Sequence, residues 1–264
     1  MIDLHHHLLP GIDDGAADLE MALEMARMAV ADGITTVACT PHIYPGMYEN
    51  TGEGIRAAIA SLQAELDAAG IALQLVEGAD VHLVPGLLDG LRAGSVPTLA
   101  GSRYFLLEPP HHVAPPNFEQ EVFQFMAAGY LPVITHPERL TWVEQHYGTF
   151  VELARRGAWM QITAGALTGR HGRRARYWGE RFVSEGHCMI LATDAHHPSR
   201  RPPLLAEARE AAAALVGAGE AAHMVVTRPQ GILDNAGPAD LPPPLAETLP
   251  PPKPKRSFHQ RLFS

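Results

Sequence analysis

Lysine is almost absent from this chain: its two lysines, Lys253 and Lys255, both lie among the last dozen of 264 residues. A carboxylated lysine bridging two metal ions is therefore excluded from the body of the protein. Cysteine is equally scarce, with Cys39 and Cys188 alone, which excludes a disulfide framework and suits a reducing compartment. No run approaches the roughly 18 apolar residues of a membrane helix, and the start lacks a basic segment leading into an apolar one. The expectation is a soluble, cytoplasmic protein without a transmembrane segment. Basic charge is also in deficit. The formal net charge is −9, and the last fourteen residues hold four of the 20 Lys and Arg, leaving 16 against 29 acids in residues 1–250, about −13. That balance argues against a nucleic-acid partner, which usually needs a basic face.

What is present is a hydrophobic fraction of 46%, enough for a sizeable core, arranged in an alternating pattern. Short β-branched runs (MIDLHHH, ITTVACT, IALQLVEGADV, SRYFLLE, LPVITH, AWMQIT, HCMILATD) alternate with helical periods such as ADLEMALEMARMAVADG and PLLAEAREAAAALVGAG. About seven strand–helix units in roughly 235 residues predict a parallel α/β fold, a TIM-like and somewhat distorted β/α barrel rather than a doubly wound open sheet. We expect one domain over 1–237, followed by a proline-rich, basic-ended segment over 238–264 that stands apart as a flexible tail.

Nearly every predicted strand ends in a metal-type side chain: His5 and His7, His42, Asp80, Glu108, His136, and Asp194 with His196. Parallel strands in such folds bring those ends to one face, where active sites are built. A lone buried carboxylate or imidazole is costly; a set of them at converging ends points to divalent ions. Imidazole and carboxylate suit zinc, manganese or iron, and the lack of cysteine argues against a structural zinc site. Alternation along a strand places His5 and His7 on one face and turns His6 away from it. By the same alternation Glu77 lies opposite Asp80.

The runs DLHHHLLPGIDDG, TPH (40–42), EGADV (77–81), LLE (106–108), THPER (135–139) and TDAHH (193–197) resemble, in order and spacing, the motifs of the polymerase and histidinol phosphatase family. Within it, Asp14, THPER and DAHHPSRRPP (194–203) are most similar to the manganese-dependent protein tyrosine phosphatases of bacterial capsule and exopolysaccharide operons. The resemblance covers about residues 1–235. It implies three ions, manganese foremost, with iron or zinc also compatible. His5, His7 and Asp194 would hold the first, Asp80 would bridge to a second completed by Glu108 and His136, and Asp14, His42 and His196 would hold the third. Arg139 and Arg201 match the family's phosphate-binding arginines. The attacking species would be a hydroxide bridging the ions, with His42 or His196 as acid or base at the leaving oxygen. One departure stands out: the family carries Glu where this chain has Asp80, one methylene shorter.

A cysteine-based phosphatase mechanism needs Arg six positions beyond the nucleophile. Pro45 and Asp194 occupy those places here, so both cysteines read as small strand hydrophobes. Tyr44 and Tyr48 form a loop able to stack on a phosphotyrosine ring. His111, His112 and His197 adjoin ligand positions, and GRHGRRAR (169–176) reads as a solvated helix start. The implied function is hydrolysis of phosphotyrosine, the partner being the phosphorylated C-terminal tail of a bacterial tyrosine autokinase. The alternatives are a small-molecule phosphoesterase of the histidinol-phosphatase kind and a weakened regulatory binding module.

Overall fold

A computed structural model describes residues 1–248. The first half runs β1 (Ile2–His6), α1 (Leu19–Ala31), β2 (Thr36–Cys39), β3 (His42–Ile43), α2 (Gly52–Ala68), β4 (Gln74–Glu77), β5 (Asp80–His82) and α3 (Leu87–Ala93). The second half runs β6 (Tyr104–Glu108), α4 (Phe118–Ala127), β7 (Leu131–Thr135), α5 (Val143–Arg155), β8 (Trp159–Thr163), α6 (Ala164–Leu167), α7 (Gly172–Ser184), β9 (Ile190–Ala192) and α8 (Ala206–Val216).

Local chemistry explains the helices. Asp18 caps α1 by accepting from the Met21 amide at 2.9 Å, and Ala22, Met25, Ala26 and Ala29 bury one stripe of that helix. Leu19, three positions before Ala22 and so on the same side of the helix, stays exposed. Thr51 caps α2, whose Ile55, Leu62 and Leu66 face the core. Strands β1, β6 and β8 are buried along their whole length, as expected when helices cover both faces of a parallel sheet. Phe105, Phe150 and Phe182 are fully enclosed, each contributing about 1.5–3 kcal/mol of hydrophobic stabilisation.

All strand pairs are parallel. They form two ladders, β1-β2-β4 and β3-β5-β6-β7-β8-β9. The break falls where two extended stretches are interrupted, between Cys39 and His42 and between Glu77 and Asp80. The α/β class and the parallel order are thus as expected, while the ladder is not one continuous closed sheet. The segment after β9 nevertheless reaches β1. Asp194 N donates to His5 O at 2.8 Å and His7 N to Ala195 O at 3.0 Å. Buried Asp3 adds a side-chain link, accepting from the Thr193 amide at 2.9 Å.

The proline-rich segment, expected to separate from residue 238, touches the body as far as Ala246. Arg228, fully buried, pairs with Glu220 at 2.7 Å and donates to the carbonyl oxygens of Pro242 at 3.1 Å and Pro243 at 2.7 Å. Ala246 N donates to Gly186 O at 3.2 Å. The basic, aromatic ending of the sequence lies outside the described residues.

Candidate metal centre

The strand C-termini deliver their polar residues to one place. Two backbone devices aim them. His136 and Asp194, each just past a strand end, adopt left-handed conformations with φ of 35° and 51°, sparsely populated for residues with a side chain and often found at functional sites. The loop after β1 folds back so closely at Gly15 that an added Cβ would sit 2.2 Å from the His7 carbonyl oxygen. Only glycine fits there, and the approach carries Asp13 and Asp14 over β1.

His5 and His7 do share a face: their Nε2 atoms are 3.2 Å apart. His5 Nε2 is 3.3 Å from both Asp80 Oδ2 and Asp194 Oδ1. His42 Nε2 and His196 Nε2 lie 3.5 and 3.4 Å from Asp14 Oδ1. His136 Nε2 is 3.6 Å from Glu108 Oε1 and 4.0 Å from Asp80 Oδ2. Arg139 Nη1 and Arg201 Nη2 both donate to Asp194 Oδ2. His6 is fully buried and apart, with neither ring nitrogen hydrogen-bonded.

Electrostatics follow from this crowding. Burial raises the Asp194 pKa, but Arg201, His5 and Arg139 outweigh it and hold the carboxyl well below the usual range. Burial lowers the His7 pKa, yet Asp13 overcomes that and lifts it to about 10. For His136, burial and then Arg139 keep the imidazole neutral far into acid. For His196, burial and His7 bring the pKa down to about 4.

The donor set fits divalent cations. Both Asp80 carboxylate oxygens, Glu108 Oε2, His42 Nδ1 and His196 Nε2 are buried with no hydrogen-bond partner, an expensive arrangement unless a cation satisfies them. Among the described residues five groupings lie within ligand reach: His7, Asp14, His42 and His196; His5, His7 and Asp80; His5, His136 and Asp194; His42, His82 and Glu108; and Glu108, His111 and His136. The first contains the expected Asp14, His42 and His196. Glu108 divides its oxygens, Oε1 toward His111 at 3.1 Å and His136, Oε2 toward His82 at 2.6 Å and His42 at 3.5 Å.

Several positioning residues escaped the sequence reading. Asp13 Oδ2 lies 2.6 Å from His7 Nδ1 and accepts from the His42 amide at 3.1 Å. Gln161 Oε1 lies 3.0 Å from His5 Nδ1. Each such contact turns the opposite nitrogen, Nε2, toward the cluster. Buried Glu138 accepts from the Thr163 amide at 3.0 Å, tying the Pro137–Arg139 turn to β8. Only the doubled acid of DDG hinted at one of these. His111 touches Glu108, whereas His197 Nδ1 is taken by the Ser199 amide at 3.1 Å. Tyr44 stacks on His82 and Tyr48 on His42. Arg170 pairs with Glu207 and Arg174 with the Leu140 carbonyl, away from the cluster.

The centre floors a cavity of about 280 Å³ whose walls include Tyr44, Met47, Tyr48 and Arg201. A cavity of about 460 Å³ adjoins the centre from the side of Asp14 and His196, whereas those of about 660 Å³ beside α3 and α4 and about 380 Å³ beside His187 and the proline segment gather no comparable donor set.

A parallel α/β chain whose strand ends converge as a His/Asp/Glu cluster is of the metal-centred hydrolase class. Residues 1–234 match the family model for capsular polysaccharide synthesis, CpsB/CapC, and the chain belongs to that family. It is 34% identical over 201 residues to tyrosine-protein phosphatase YwqE of Bacillus subtilis, covering 76% of this chain and 79% of that one. It is 26% identical over 244 residues to tyrosine-protein phosphatase CpsB of Streptococcus agalactiae, covering 89% and 99%. A structure from a study of YwqE of Bacillus subtilis and CpsB of Streptococcus pneumoniae, described as metal-dependent tyrosine phosphatases, superposes with a TM-score of 0.86 at 31% identity, covering 90% of this chain and 96% of that one.

Proposed function

We propose that this chain is a metal-dependent protein-tyrosine phosphatase of the cytoplasm, acting on the phosphorylated C-terminal tail of a tyrosine autokinase in capsule or exopolysaccharide synthesis. The observation carrying the reading is the set of unpartnered buried donors at the strand ends, under a cavity sized for one aromatic side chain and its phosphate. The reading treats the strands as a distorted barrel with the centre at its mouth. It assigns His5, His7, Asp14, His42, Asp80, Glu108, His136, Asp194 and His196 as ligands of three ions, manganese by preference. Bound divalent ions would generate a nucleophile from water near neutral pH and neutralise phosphate charge.

The chain's own residues do the rest. Arg139 and Arg201, both on the Asp194 carboxylate, would offer their planar forks to the phosphate oxygens with that carboxylate holding an ion. Tyr44 and Tyr48 wall the aryl group. His42 and His196, kept neutral by their surroundings, flank the leaving oxygen, although a phenolate leaves readily and asks little of an acid.

The test compares phosphate release from a phosphotyrosine peptide, histidinol phosphate and a phosphoserine peptide with manganese added. Preference for phosphotyrosine, insensitivity to vanadate and loss on chelation are expected. Preference for histidinol phosphate would make it a small-molecule phosphoesterase, and no turnover of any of the three would make it a binding module.

A further inference from the structure

His82 stands two residues beyond Asp80 on β5, the same spacing that puts His5 and His7 on one face of β1. Its Nε2 lies 2.6 Å from Glu108 Oε2, a buried oxygen that no well-formed hydrogen bond reaches. His42 Nδ1, also without a partner, approaches the same oxygen at 3.5 Å. His82, His42 and Glu108 place their ligand atoms within 4.8 Å of one another. The Tyr44 ring stacks on the His82 imidazole with centroids 3.9 Å apart and planes 18° from parallel, which holds the plane of that imidazole.

His42 cannot serve every ion it faces. Its Nε2 looks at Asp14 at 3.5 Å while Nδ1 looks at Glu108, and a neutral imidazole has a single free lone pair. With His42 committed beside Asp14 and His196, the Glu108 Oε2 side of the centre lacks an imidazole unless His82 provides it. We propose that His82 is a metal ligand, binding through Nε2 an ion shared with Glu108 Oε2 on the Tyr44 side of the cavity. Glu108 then bridges, with Oε1 directed to the His136 side. This rests on the metal-centre reading above.

Two measurements on the full chain decide it. In crystals grown with manganese, anomalous scattering should place an ion within about 2.3 Å of His82 Nε2, near usual imidazole–metal distances. An equilibrium manganese titration of His82→Phe, which keeps the ring that stacks on Tyr44, should weaken one class of site at least tenfold while the melting transition of the metal-free protein stays near that of the parent. Ions bound elsewhere in the cluster, with His82 still on the Glu108 carboxylate and an unchanged titration, would overturn the proposal and leave the metal centre standing. Manganese binding to no site at all would overturn both.

Discussion

Asp13→Asn is the sharpest probe of how the centre is held. Asp13 has a buried side chain 2.6 Å from His7 Nδ1, and it also accepts from the Gly15 amide at 2.9 Å and the His42 amide at 3.1 Å. One carboxylate therefore orients two imidazoles and fixes the loop that carries Asp14. Asparagine keeps the shape and one acceptor but loses the charge and the second acceptor. A hydrogen bond to a charged group contributes about 1.5–3 kcal/mol, or roughly 10- to 150-fold in an equilibrium. Loss of such an outer contact typically weakens metal binding about 10- to 100-fold. The manganese concentration for half-maximal turnover should rise by that factor, with turnover at saturating manganese largely recovered. An unchanged manganese requirement would refute the orienting role. A loss of turnover that no manganese concentration restores would place Asp13 in the reaction itself.

His6 should behave oppositely to its neighbours. His6→Leu removes two buried, unpartnered nitrogens, so metal content and turnover should hold and stability should not fall. Burial, then His7, lower its pKa to about 3. Folded His6 thus stays neutral while unfolded His6 takes up a proton below about 6.5. Its contribution is complete above that pH and declines as pH falls toward about 3, so in urea melts of metal-free His6→Leu the acid-side slope should be shallower by up to about 1.4 kcal/mol per pH unit; an unchanged slope would contradict this. Replacing both Cys39 and Cys188 by Ala should leave turnover within about twofold, because burial raises both thiols far from the thiolate form and no thiolate is used. Collapse of activity in soluble, folded double variant would revive a cysteine mechanism.

The sequence was most legible where period and chemistry coincide. Alternation separated His6 from His5 and His7, and strand-end position brought together residues as far apart as His5 and Asp194. Less legible was anything set by the path of a loop. Asp13 and Asp14 are adjacent and alike in composition, and only the turn forced by Gly15 distinguishes the orienting acid from the one facing His42. Gln161 and Glu138 act across neighbouring strands, where separation in sequence gives no cue. His82 was visible by the same i, i+2 rule as His7 but sat beyond the end assigned to its strand. The docking of residues 238–246 depends on the buried Arg228 guanidinium, which a proline-rich composition conceals.

We propose that these strand-end residues form a divalent-metal centre that hydrolyses phosphotyrosine. The most direct test is metal content per chain measured alongside phosphate release from a phosphotyrosine peptide, in parent protein and His136→Ala, before and after chelation. Three ions per chain are expected from the nine strand-end residues, and a fourth where His82 and Glu108 bind the ion inferred above, with release lost on chelation, restored by manganese, and deficient together with metal content in His136→Ala. Phosphotyrosine turnover that persists in fully metal-depleted protein would contradict the account.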